Sequence, residues 1–205
     1  MLGFYNYTVY LTYIGLVSAV TGMFLAMDGR PIAAVICLLI SGVCDMFDGK
    51  IARTKKDRTT EEKRFGIQID SLCDVCCFGV LPAVIGFSVG ADRWWQIAVA
   101  ALFVVCGVIR LAYYNVTEEI RQDSTDKNRE HYQGMPITTS AILVPLLMCF
   151  SKAAGSAFSC FYTALLAVMG ICFILPVQVK KPGKAGGVIM LLIGVCVFAF
   201  LMLKL

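Results

Sequence analysis

Seven predominantly apolar stretches, at residues 7–27, 31–53, 65–89, 93–115, 137–153, 157–176 and 185–204, alternate with short polar connections. A helix needs about 20 apolar residues to cross a hydrocarbon core of about 30 Å, so each stretch predicts a membrane span. The fifth is short, and the second and third carry charged residues, so these three depend on neighbouring helices for their place in the bilayer. The most polar stretches are 54–64 and 117–134. No long linker, low-complexity tract, internal repeat or broken helix is evident. The chain reads as a single membrane-embedded domain, residues 1–205, and its fold class as all-α, a polytopic integral membrane helix bundle.

Composition sharpens this picture. The chain is 59% hydrophobic and 16% charged, against about 25% charged in an average soluble domain, and its mean hydropathy is +0.77. There is too little polar surface to cover a water-facing globule. A net charge of only +4 excludes a nucleic-acid-binding domain, and the apolar content excludes disorder and fibres. Cys37, Cys44, Cys73, Cys76, Cys77, Cys106, Cys149, Cys160, Cys172 and Cys196 lie almost entirely in apolar runs. They read as small reduced hydrophobic residues that let helices approach, not as a disulfide framework. Cys73, Cys76 and Cys77 have no second CxxC or nearby histidine to complete a metal site.

Charge placement orients the helices. Tyr5, Tyr7, Tyr10 and Tyr13 suit an interfacial belt, no basic segment marks a cleavable signal, and Trp94 and Trp95 mark another interface. With the N-terminus inside, fourteen of the eighteen Lys and Arg fall in or beside the loops after spans two, four and six. They run from Lys50 to Arg64, from Arg110 to Arg129, and from Lys180 to Lys184. Under the positive-inside rule, the chain sits in the cytoplasmic (inner) membrane with residues 45–74 facing the cytoplasm.

Asp45, Asp48, Asp70 and Asp74 stand inside or at the mouths of the second and third spans. Each carboxylate costs about 2.5–3.5 kcal/mol at a bilayer centre, so four within thirty residues need a reason. Asp45 and Asp48 are three apart and Asp70 and Asp74 four apart, so each pair shares a helix face. Short connections make consecutive helices neighbours, and the two faces can meet. Oxygen-only ligands favour Mg²⁺, Mn²⁺ or Ca²⁺, and two divalent ions would neutralise four charges. Paired metals are a recurring clamp for phosphoryl displacement. Singly, each aspartate reads as a solvated helix-end group or a partner of Arg53, Lys56 or Arg64; as two face-matched pairs they favour the metal site. Gly49 and Ala52 continue the first stripe and Gly66 begins the second, leaving room for a ligand or for close helix packing.

The segment Asp45-Met46-Phe47-Asp48-Gly49-Lys50-Ile51-Ala52-Arg53, followed by Gly66, Asp70 and Asp74, resembles the DxxDGxxAR…GxxxDxxxD signature of the CDP-alcohol phosphotransferase family. All eight signature positions carry the expected residue types. The segment between the Arg and the next Gly has twelve residues, Thr54 to Phe65, where the family usually has about eight; the extra residues fall in a polar loop, where insertion is cheap. The runs FGIQIDSLCDVCCFGVLPAVIG, RLAYYNV and QGMPITTSA are similar to the branch of the family that uses serine as acceptor.

The resemblance implies a six-helix core, with the seventh helix added at the C-terminus, and a homodimer. It implies transfer of the phosphatidyl group from CDP-diacylglycerol to L-serine, giving phosphatidylserine and CMP. Asp45, Asp48, Asp70 and Asp74 would hold two divalent metal ions, Mg²⁺ or Mn²⁺, with Asp74 also the catalytic base. Asp45, Gly49, Ala52, Arg53 and Gly66 would bind the nucleotide, while the acyl chains stay among the membrane lipids. No Ser, Cys or His is placed as a covalent nucleophile, so the displacement is direct. Serine brings a carboxylate and an ammonium; Arg110, with Tyr114, Asn115 and Gln133 nearby, forms the candidate serine pocket. Arg110 also reads as a topology anchor, His131 as a solvated loop residue, and Lys180, Lys181 and Lys184 as topology and headgroup contacts. The alternatives are another acceptor, such as glycerol 3-phosphate or inositol phosphate, and a divalent-cation transporter, which would tend to show repeats or broken helices.

Overall fold

The computed structural model describes residues 3, 7–52, 54–55, 57, 59–124, 131–176, 178–180 and 184–203, with backbone alone for 121–124, 131–133, 178–180 and 184–191. A 3₁₀ turn at Tyr7–Val9 leads into α1 (Tyr10–Met27), which is followed by α2 (Pro31–Ala52) and α3 (Thr60–Asp74). A π-helical stretch, Val75–Val80, joins α3 to α4 (Leu81–Ser88). Next come α5 (Trp94–Ser124), β1 (His131–Gln133), a 3₁₀ turn Ile137–Thr139, α6 (Ser140–Cys149), α7 (Ser151–Ala154), a 3₁₀ turn Gly155–Ala157 and α8 (Phe158–Ile174). β2 (Gln178–Lys180) and α9 (Lys184–Met202) complete the order.

Among the described residues, five helical segments are long and apolar enough to cross a membrane: Tyr7–Met27, Pro31–Ala52, Thr60–Ser88, Trp94–Ile120 and Ser151–Ile174. Two shorter apolar helices, Ile137–Cys149 and Leu192–Met202, fall within the fifth and seventh expected spans. The protein is an integral membrane helix bundle. One departure lies inside the third expected span: it is helical from Thr60 to Ser88, but its α-helical pattern is interrupted after Asp74 by the π stretch. A second departure is small: β1 and β2 pair antiparallel, with Tyr132 opposite Val179.

Small residues let α1 approach α2, and aromatic rings pack α5 against α8. On α1, Gly15, Ala19, Gly22 and Ala26 form a buried stripe. A Cβ at Gly22 would lie 2.8 Å from the Cys37 Cβ of α2, so only glycine permits that approach. The Ser41 hydroxyl donates to the Gly15 carbonyl at 2.8 Å across the same contact. Between α5 and α8, Phe103 and Phe173 stack at 5.4 Å between ring centroids. Leu38, Phe78, Leu81, Ile85, Tyr162 and Leu166 fill the centre.

Before α6, Gly134 has φ of +75° and its Cα faces the Phe173 carbonyl so closely that a Cβ would lie 2.8 Å from it. The next residue, Met135, donates its N–H to the Cys172 carbonyl at 3.2 Å. The chain entering α6 is thereby fixed against the end of α8.

Candidate metal and nucleotide site

α2 carries Asp45 and Asp48 on its last turns, and α3 carries Asp70 and Asp74. The start of α3 is set by a capping box: the Thr59 hydroxyl accepts the Glu62 N–H at 3.2 Å, and the Glu62 carboxylate accepts the Thr59 N–H at 3.1 Å. Such boxes satisfy two orphan helix donors at once. Lys55 adds an ion pair to Glu62 at 2.8 Å. The polar insertion is therefore not simply loop, because its residues from Thr60 onward form the first turn and a half of α3.

Carboxylate oxygens of Asp45, Asp70 and Asp74 all lie within 4.8 Å of one another. Asp48 stands beside this triad, nearly buried at 8% exposure. It accepts the Thr12 hydroxyl at 3.0 Å and lies within hydrogen-bonding reach of Asp70. The two face-matched pairs expected from spacing do meet, with three carboxylates converging and the fourth tethered to α1. Like charges this close repel unless a cation lies between them. The donor set is all carboxylate, which suits hard divalent cations such as Mg²⁺ or Mn²⁺. Cys73 and Cys77 are buried nearby as free thiols and take no part in that group.

A cleft of about 160 Å³ opens beside the carboxylates, lined by Thr8, Thr12, Asp48, Gly49, Ala52, Lys63, Gly66 and Asp70 among others. Gly49, Ala52 and Gly66 all line it, so the small-residue stripes read from the sequence face one space. Arg53, expected at the nucleotide, lies outside the described residues. A second pocket of only about 10 Å³ lies behind Asp45 and Asp74, between Thr12, Ser41 and Cys77.

Sequence reasoning missed Thr8, Thr12 and Lys63. The signal was present: Thr8 and Thr12 are four apart within an otherwise apolar span, and Lys63, Gly66 and Asp70 are spaced i, i+3 and i+7.

Arg110 of α5 lies near enough to Asp45 and Asp74 for its charge to act on both carboxylates. Its guanidinium sits 5.6 Å from the Tyr114 ring centroid. Asn115 is engaged elsewhere: its amide oxygen accepts the Ser71 hydroxyl at 2.9 Å, and its amide nitrogen reaches Gln68 at 3.5 Å. Gln68 in turn donates to Glu119 at 3.3 Å. These bonds tie α5 to α3 one residue from Asp70. The backbone of Gln133 pairs with Gln178 in the ribbon; its side chain, and that of His131, lie outside the described residues.

The sequence profile of the CDP-alcohol phosphatidyltransferase family matches residues 5–177. The chain belongs to that family. As a CDP-alcohol phosphatidyltransferase it carries a carboxylate cluster able to hold divalent metal, in keeping with a family that generally depends on such ions. It is 31% identical over 143 residues to the CDP-diacylglycerol–serine O-phosphatidyltransferase of Saccharomyces cerevisiae, covering 67% of this chain and 50% of the yeast protein. It is 31% identical over 157 residues to the archaetidylserine synthase of Methanothermobacter thermautotrophicus, covering 75% of this chain and 63% of the relative. A third similar protein is the CDP-diacylglycerol–serine O-phosphatidyltransferase of Mycobacterium bovis, 28% identical over 203 residues, covering 92% of this chain and 68% of the relative. The chain thus spans from half to about two thirds of the length of these relatives.

Proposed function

We propose that the protein transfers the phosphatidyl group of CDP-diacylglycerol to L-serine, releasing CMP. The observation that carries this reading is the convergence of Asp45, Asp70 and Asp74 within 4.8 Å, at a cleft walled by Gly49, Ala52 and Gly66. The names of the relatives point to serine as acceptor.

Asp45, Asp48, Asp70 and Asp74 would hold two divalent ions, Mg²⁺ or Mn²⁺, whose charge would offset the negative charge gathering on the departing CMP. Gly49, Ala52 and Gly66 leave space for the cytidine, with Arg53 next in sequence after Ala52. Arg110 pairs with the carboxylate of serine, held in place by the Tyr114 ring. The Asp74 carboxylate takes the proton of the serine hydroxyl as that oxygen bonds to the phosphorus bearing diacylglycerol, and the bond from this phosphorus to the CMP oxygen breaks. The described helices act as one membrane-embedded domain, paired as a homodimer, with the cleft and N-terminus facing the cytoplasm.

The test is CMP release from CDP-diacylglycerol by purified protein, with L-serine, glycerol 3-phosphate or inositol phosphate, in Mg²⁺, Mn²⁺ or EDTA. Release that needs both serine and metal supports the reading. Release only with another acceptor keeps the family chemistry and overturns serine. No release from folded protein with any acceptor overturns the transferase.

A further inference from the structure

The break in the third span begins at the residue after Asp74, and its cause is written in the chain. Pro82 has no N–H, so the carbonyl four residues before it, that of Phe78, loses its ordinary helical donor. The backbone responds with the π stretch Val75–Val80, closed by the Leu81 N–H bonding to the Cys76 carbonyl five residues back. A π stretch accommodates one extra residue in an α-helix, so α3 is turned by about one residue, roughly 100°, relative to α4.

Two buried hydroxyls from elsewhere in the chain grip this break. Ser140, fully buried at the start of α6, donates to the Phe78 carbonyl at 2.9 Å, sharing its proton with the Ile137 carbonyl at 3.0 Å. Tyr162 of α8, also fully buried, donates to the Pro82 carbonyl at 2.8 Å. Its ring lies so close to the helix that a Cβ on Gly86 would be 2.8 Å from it. Ser140 is itself held in position. Ile137, three residues earlier, fills the space left by Gly107 of α5, and the chain before it is bonded to the end of α8. Leu81 and Ile85, with no exposed surface, anchor the far side of the break.

We infer that Ser140 and Tyr162 are positioning residues for the carboxylate site: they hold the π stretch in the phase that aims Asp70 and Asp74 at Asp45. Ser140 acts through a carbonyl inside the π stretch, that of Phe78, and Tyr162 through the Pro82 carbonyl two residues beyond it. The inference rests on the metal-site reading and adds to it two residues, 66 and 88 positions beyond Asp74 in sequence.

Mn²⁺ binding to the purified, solubilised protein, monitored by loss of the free-ion EPR signal, tests it without turnover. Ser140→Ala should weaken Mn²⁺ about tenfold, the lower end of the effect of residues that orient metal ligands. Tyr162→Phe should weaken it about threefold, in keeping with one neutral hydrogen bond. Ser140→Thr, which keeps the donor hydroxyl, should recover most of the Ser140→Ala loss. Pro82→Ala returns an N–H to Phe78 and favours closure of the π stretch, so it should weaken Mn²⁺ while leaving the melting temperature unchanged or raised. That last combination is one a merely structural role would not give.

Wild-type protein that binds no more Mn²⁺ than Asp70→Asn overturns the metal site itself, and the inference with it. Wild-type binding that is lost in Asp70→Asn but kept in Ser140→Ala, Tyr162→Phe and Pro82→Ala overturns the positioning role alone. Should Ser140→Ala fail to fold, Tyr162→Phe and Pro82→Ala decide.

Discussion

Asp45 and Asp48 ride on a helix that runs unbroken from Pro31 to Ala52, whereas Asp70 and Asp74 ride on one that stops being α-helical at the next residue. The first pair inherits its geometry locally. Helical periodicity sets the spacing, and close packing of α1 against α2, through Gly15 and Gly22, sets the height. The second pair depends on bonds from distant parts of the chain: Ser71 to Asn115 beside Asp70, and Ser140 and Tyr162 beyond Asp74. A carboxylate array built half on each principle has one rigid side and one side whose aim is set by tertiary contacts.

The sharpest way to break this contrast is Asp70→Asn, which removes a charge and a ligand from the tertiary-held side. Turnover should fall by at least about 100-fold, beyond the loss expected for a residue that only orients a ligand; CMP release near the wild-type rate would remove Asp70 from the metal site. On the locally held side, Gly22→Val should overpack the α1–α2 contact at a cost of about 1–3 kcal/mol. The melting temperature of purified protein reads this, and an unchanged value would mean that α1 is free to shift. Arg110→Ala probes the helix that bridges the two sides. The KM for serine should rise about tenfold, as for loss of a charge-assisted bond, with the KM for CDP-diacylglycerol nearly constant; equal changes would take Arg110 out of the serine pocket. The smallest effect belongs to Thr12→Val, which frees Asp48 from α1. About threefold weaker Mn²⁺ binding is expected from one hydrogen bond, and no change would mean that α2 alone aims Asp48.

Local pattern carried the reading wherever local physics decides the outcome. The first span, 7–27, matches the helical segment Tyr7–Met27, and the second, expected at 31–53, is helical from Pro31 to Ala52, with Arg53 outside the described residues. Gly49 and Ala52 share a face of α2 by helical spacing, and with Gly66 of α3 they line one cleft. The third span starts at Thr60 instead of 65 since the capping box of Thr59 and Glu62 carries the helix out past its apolar part. The fourth runs to Ser124, past the expected 115, because polar residues such as Glu119 find partners on α3. The π stretch before Pro82 was not read from the sequence, although a proline stands in that span. Whether a proline gives a kink or a π stretch depends on who satisfies the freed carbonyl, and here that donor comes from 62 residues away. A separation of 36 residues hid Thr12, whose role exists only once α1 lies against Asp48.

The length of α5 has a mechanical consequence. Its 31 residues make a rod roughly 46 Å long at 1.5 Å per residue, against a hydrocarbon core of about 30 Å. The rod is thus about half as long again as that core is thick, and its C-terminal part runs beside the helix bearing Asp70. The bonds from Asn115 to Ser71 and from Glu119 to Gln68 brace that part against α3. A sideways push on the C-terminal part of α5 is thus delivered to the helix bearing Asp70.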